Sequence, residues 1–174
     1  QDVRGATWDE VDLEAGLWVI PALRMKAEKE HRVVLSVDAL ALLKALPRLA
    51  DSPLVFPAPR GGELSDMTLS ATMKRIHADD KAGGGQGFVD RENKRAAVPH
   101  GLRSTFRDFI AERTSYPGDL AETALAHRIS NAVEAAYRRG DMIEKRRGMM
   151  QHWADFLAGR KSDGNVLQFA GAQA

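Results

Sequence analysis

The stretch Pro99-His100-Gly101-Leu102-Arg103-Ser104-Thr105-Phe106-Arg107-Asp108-Phe109-Ile110-Ala111-Glu112 decides how the chain is read. Pro99 suits a first helical turn, where its missing N–H is no loss. Leu102, Phe106, Phe109 and Ile110 then recur at the spacing of a helix with one buried face. His100 and Arg103 stand three residues apart, so an imidazole and a guanidinium share one side and can converge on a single anionic group. Arg107 continues that polar edge. Downstream come Leu125-Ala126-His127 and then Val133-Glu134-Ala135-Ala136-Tyr137-Arg138-Arg139-Gly140-Asp141. A histidine, an arginine, a second histidine and a tyrosine followed directly by basic residues suit covalent chemistry on a phosphodiester. Such chemistry needs no metal.

Composition bounds this reading from outside. At 174 residues and 44% hydrophobic content, the chain suffices for one ordinary domain with its own core. The lack of cysteine excludes disulfide frameworks, thiolate zinc sites and cysteine nucleophiles. No apolar run approaches the length of a membrane span, and Gln1-Asp2-Val3-Arg4 carries no targeting pattern. His31, His77 and His152 lack metal-ligand spacing. The net charge of +1 is unevenly divided. Residues 1–90 carry 11 basic and 14 acidic side chains, net −3, whereas residues 91–160 carry 13 and 9, net +4. The positive excess travels with the histidine and arginine motifs.

Upstream of that stretch, Ala6 to Leu13 reads as the end of a helix or the start of a turn. Leu17-Trp18-Val19-Ile20, closed by Pro21, and His31-Arg32-Val33-Val34-Leu35 are strand candidates joined by the charged connection Arg24 to Glu30, which predicts a small antiparallel hairpin. Ser36 caps a predicted helix over 37–46 with Leu40, Leu43 and Leu46 as its buried stripe, ended by Pro47. Leu54-Val55-Phe56 reads as a short buried extended segment. Ser65 is expected to cap a helix to about His77, with Met67, Leu69, Met73 and Ile76 as its apolar members. Ala82 to Gly87 has four glycines but neither a dinucleotide nor a phosphate-loop spacing, and reads as a flexible surface loop.

Further helices are expected from Pro117, from Asn131 through Val133, Ala136 and Tyr137, and from Asp141, the last with Ile143, Met150, Trp153, Phe156 and Leu157 facing inward. The fold class is thus mostly α (α+β), with one small antiparallel sheet near the N-terminus. Residues 1–158 form the expected domain and 159–174 a flexible tail.

Six ordered words carry a resemblance: W-D-E-V-D-L-E-A-G-L-W-V-I-P at 8–21, R-M-K with the later H-R-V-V-L-S, L-V-F-P, H-G-L-R-S-T-F-R-D, L-A-H and A-Y-R-R-G-D. Together they resemble the catalytic domain of the tyrosine recombinases of phages and genomic islands. The resemblance implies that Tyr137 attacks a DNA phosphate to give a 3′-phosphotyrosyl bond and a free 5′-hydroxyl. It implies that Arg103 holds nonbridging oxygens, His100 relays the tyrosine proton, His127 donates a hydrogen bond to the phosphate and Lys26 protonates the leaving 5′-oxygen. Arg138 and Arg139 are candidates for contact with the DNA backbone.

No metal or nucleotide cofactor is implied. The implied partners are double-stranded DNA attachment sites and other integrase protomers, met in the bacterial cytoplasm at the nucleoid. The family's first catalytic arginine falls two positions before Gln1, and Arg4 does not replace it. The expectation is therefore an N-terminally truncated catalytic domain, monomeric in dilute solution and inert by itself. The alternatives are a non-catalytic DNA-binding remnant of the same fold and a helical interaction domain in which Tyr137 is packed.

Overall fold

A computed structural model of the chain describes residues 2–90, 93–127 and 141–160. Near the N-terminus, β1 (Val11–Asp12), β2 (Leu17–Ile20) and β3 (His31–Val34) form an antiparallel sheet in the order 1-2-3. The expected β2–β3 hairpin is present, in the register Leu17↔Val34 to Ile20↔His31. Ile20 and Val34 fall on opposite faces in this register and both are buried, so the sheet is covered on each side. The segment read as a helix end or the start of a turn is a 3-10 turn over Trp8–Glu10 that runs into β1. The Asp12 carboxylate accepts the N–H groups of Glu14 (2.9 Å) and Ala15 (2.7 Å), and this side-chain turn sends the chain back into β2. Two strand residues are too few to leave an alternation that a sequence can show.

Helix α1 (Val37–Ala45) starts where expected, with the Ser36 hydroxyl accepting from the Ala39 N–H at 3.2 Å. Leu43 is buried and Leu40 and Leu46 half-buried. Leu43 packs with Ala6 and Val55 under Trp8, Trp18, Leu35 and Phe56, which makes one core between α1, the sheet and the extended segment around Val55.

The second core is helical. It is formed by α3 (Gly101–Arg113), α4 (Gly118–Ala124) and α5 (Ile143–Leu157), which bury Phe106, Phe109, Ile110, Leu120, Ala121 and Met149 together. Trp153 meets Phe106 edge-on at 5.5 Å, and Phe156 stacks on Phe109 at 4.7 Å. Two expected members fall outside it, since Leu102 and Leu157 are exposed.

The buried line of α5 passes through Arg146, Met149 and Ala154 rather than Ile143 and Leu157, and an arginine in that line hid its phase. Arg146 is 1% exposed. It donates to the carbonyls of Arg32 (2.5 Å) and Asp141 (3.3 Å) and so joins α5 to β3. Among the described residues it forms no ion pair, and burial holds its pKa below the usual arginine range.

Helix α2 (Thr68–Ala82) is the main correction. It is longer than expected and none of its residues is buried; Met67, Leu69 and Ile76 are exposed. Its extension has a local cause. The glycine loop folds against the last turns, where Asp80 accepts from the Gly87 N–H (2.8 Å) and His77 Nδ1 from the Phe88 N–H (3.0 Å). Gly87 has φ +74°, and a Cβ there would sit 2.5 Å from the His77 ring, so this part of the loop is shaped and not free.

At the far end, Arg160, expected to begin the loose tail, instead binds Asp38 and Asp155 at 2.7 to 2.9 Å. Its guanidinium holds both carboxyls below the usual range. No helix among the described residues is long and apolar enough to cross a membrane.

Candidate active site

The site grows from two helix ends. The chain enters α3 through a tight turn in which Gly101 N–H bonds Val98 O (2.9 Å) and Arg103 N–H bonds His100 O (3.1 Å). His100 stands one residue before α3 with helical angles (φ −64°, ψ −34°), so the three-residue spacing to Arg103 acts as it would within a helix. His100 is exposed and makes no side-chain hydrogen bond among the described residues.

The second end is the C-terminus of α4. His127 N–H reaches back to Glu122 O (3.0 Å) and Ala126 N–H to Thr123 O (3.2 Å), the paired bonds of a Schellman cap. The residue in the left-handed position is Ala126, φ +55°, where glycine is usual and an L side chain costs about 1–2 kcal/mol. This turn reverses the chain and delivers His127 to Arg103.

Arg103 Nη2 donates to Leu125 O at 2.6 Å and lies 2.8 Å from His127 Nε2. A guanidinium nitrogen can only donate, so His127 Nε2 is the acceptor and its hydrogen sits on Nδ1. That hydrogen is directed at Glu122 Oε2, 2.7 Å away. The other oxygen of Glu122 pairs with Arg107 Nη1 at 2.8 Å. The row is therefore Arg103, His127, Glu122, Arg107. Among the described residues both partners of Arg103 are uncharged, so its positive charge stays available to an incoming anion, whereas that of Arg107 is balanced by a carboxylate.

Lys26 lies on the β2–β3 connection, exposed and without a partner among the described residues. Its neighbour Arg24 is bound to Glu10 and to the carbonyl of Asp2. No hydrogen bond or ion pair joins Lys26 to Arg103 or His127. Arg4 is tied to Asp66 and to Leu64 O (2.5 Å). Tyr137, Arg138 and Arg139 lie outside the described residues. Among those described, no three histidine or acidic side chains gather to hold a metal ion.

The structure thus brings together two of the residues singled out in the sequence, Arg103 and His127, with His100 one turn from Arg103. A sequence profile of the phage integrase family matches residues 1–143. The chain belongs to the phage integrase family.

Other members of the integrase group resemble it at the residue level. It is 38% identical over 165 residues to the prophage integrase IntA of Escherichia coli K12, covering 93% of this chain and 36% of that protein. It is 31% identical over 172 residues to the integrase of Enterobacteria phage P4, again covering 36% of that protein. The chain therefore spans about a third of the length of these relatives. The crystal structure of XerA recombinase shares the fold, with a TM-score of 0.54 and 18% identity over 87% of this chain and 52% of that one.

Two features of this candidate site were not picked out by sequence reasoning. Glu122 orients His127 across five residues of chain, and its spacing carries a weak helix-end signal at best. His31, read only as a strand residue, places Nε2 3.3 Å from Ala124 O at the end of α4.

Proposed function

We propose that this chain carries the strand-cleaving chemistry of a site-specific DNA integrase, which cuts and rejoins DNA through a 3′-phosphotyrosyl intermediate. The observation that carries this reading is the meeting of Arg103 with His127 from separate helices, with a carboxylate behind the imidazole and, among the described residues, no counter-anion on Arg103. This is a site built to receive a phosphodiester.

In the proposed reaction the Tyr137 oxygen attacks phosphorus and the bond to the 5′-oxygen breaks. His100 accepts the tyrosine proton, and Lys26 gives a proton to the departing 5′-oxygen. Arg103 turns its free N–H groups to the nonbridging oxygens as charge builds on the five-coordinate phosphorus. His127 donates to the same phosphate once Nε2 is protonated, with Glu122 facing the other side of the ring to balance the charge. Rejoining runs the same steps in reverse with a new 5′-hydroxyl. The partners are double-stranded attachment sites and further protomers on paired DNA, with Arg138 and Arg139 against the backbone. The isolated chain is monomeric in dilute solution.

The test is covalent trapping on a nicked suicide duplex. The full-length protein should form an SDS-resistant adduct, and Tyr137→Phe should abolish it while DNA binding survives. Undiminished adduct in the Phe variant would overturn the assignment.

A further inference from the structure

We infer that His31 is a positioning residue: it pegs the hairpin that carries Lys26 to the turn that presents His127. The argument starts from the carbonyls at the end of α4. A helix leaves its last four carbonyls without intrahelical partners, and each must be met by something else. Here the backbone closes the first ones, with Leu125 N–H on Ala121 O, His127 N–H on Glu122 O and Ala126 N–H on Thr123 O. The next two are left to side chains. Leu125 O receives Arg103 Nη2 and Ala124 O receives His31 Nε2. The His127 turn is therefore held by one side chain from α3 and one from the sheet.

His31 is well placed for this. It opens β3 opposite Ile20, so the sheet register sets where its ring emerges. Lys26 precedes it by five positions, on a connection that among the described residues has no other hydrogen bond or ion pair to the histidine turn. A carbonyl can only accept, so His31 must carry hydrogen on Nε2. The surroundings keep that ring neutral. Burial and the Arg146 guanidinium push its pKa below the ordinary 6.5, Arg103 adds to this, and the Ala124 carbonyl and Asp2 oppose it. Arg146 also grips the next carbonyl along β3, that of Arg32, so the strand end is fixed from behind.

The catalytic half of this inference rests on the integrase reading, whereas the structural half does not. In the full-length protein labelled with ¹⁵N-histidine, long-range proton–nitrogen correlation should show His31 neutral with hydrogen on Nε2; hydrogen on Nδ1 would overturn the proposal. Amide exchange at Ala126 and His127 should be about five- to tenfold faster in His31→Phe, the effect of one lost hydrogen bond. It should return towards the wild-type rate in His31→Gln, whose amide nitrogen replaces Nε2. Unchanged exchange in a folded Phe variant would overturn the proposal.

Adduct formation should slow about ten- to a hundredfold in His31→Phe at unchanged DNA affinity, and recover in His31→Gln. If the wild type forms the adduct and the Phe variant matches its rate, the role of His31 fails. A wild type that forms no adduct counts against the integrase reading alone, and the exchange and tautomer results still decide the structural claim.

Discussion

Two turns carry candidate site residues, and they are built in opposite ways. The turn at His127 has backbone caps, Glu122 on one ring nitrogen, Arg103 on the other and His31 on the carbonyl behind. The turn at Lys26 leaves its lysine exposed and unpartnered among the described residues. Both contain a non-glycine residue in the left-handed region, Ala126 at φ +55° and Glu28 at φ +51°, so backbone conformation is not what separates them. What differs is the number of side chains that converge. A group that must hold a phosphate still gains from being pre-set, and a group that must follow a departing oxygen gains from a free ammonium on a long stem.

The largest expected effect tests the mobile side. Lys26→Ala should slow cleavage about a hundred- to ten-thousandfold yet leave the melting temperature within about 2 °C of the wild type. A substrate with sulfur at the 5′-bridging position, whose leaving thiolate needs no proton, should recover most of the loss. Equal impairment on both substrates would make Lys26 a DNA contact only. On the fixed side, Glu122→Ala removes the acceptor of the His127 ring. Losing a charge-assisted hydrogen bond of about 1.5–3 kcal/mol should cost roughly ten- to a hundredfold in cleavage rate, with DNA affinity little changed. A rate equal to wild type would show that His127 needs no orienting partner.

A smaller effect of opposite sign belongs to Ala126→Gly. Glycine removes the left-handed penalty in the Schellman turn and should stabilise the protein by about 1 kcal/mol. A fall in melting temperature would mean that the alanine methyl contributes packing that outweighs its strain. The smallest expected effect is a pH slope from His31. Its folded pKa is depressed, so the unfolded chain binds the proton more readily. Stability is then fully present above about 6.5 and declines as pH falls from there towards the lower folded value. Urea midpoints of wild type and His31→Gln compared across that window check it, because the Gln variant should lose this slope.

Much of the scaffold was legible because it follows local rules. Ser36 before an apolar run gave α1, Phe106, Phe109 and Ile110 gave the buried face of α3, and two apolar runs around a charged connection gave the β2–β3 hairpin. The pairing of Arg103 with His127 was reached only through the order of several motifs, since 24 residues separate the two. Periodicity failed where it predicts a helix but cannot say what covers it. Helix α2 has apolar residues at helical spacing and buries none of them. Arg146 failed in the opposite sense, a charged residue whose burial is met by one carbonyl just before its own helix and one 114 residues away on β3. Glu122 and His31 act through contacts that no spacing rule singles out.

Arg146 also determines how many ways α5 can dock. Met149 and its aromatic neighbours offer a greasy seam that a helix could meet at more than one height. Sliding α5 by one turn would move the guanidinium about 5.4 Å, away from the Arg32 carbonyl on β3, and leave a dehydrated cation with only the Asp141 carbonyl of its own segment, at a cost of several kcal/mol. The oily contacts supply adhesion and the buried cation supplies the register, so the sheet and the last described helix lock at a single setting.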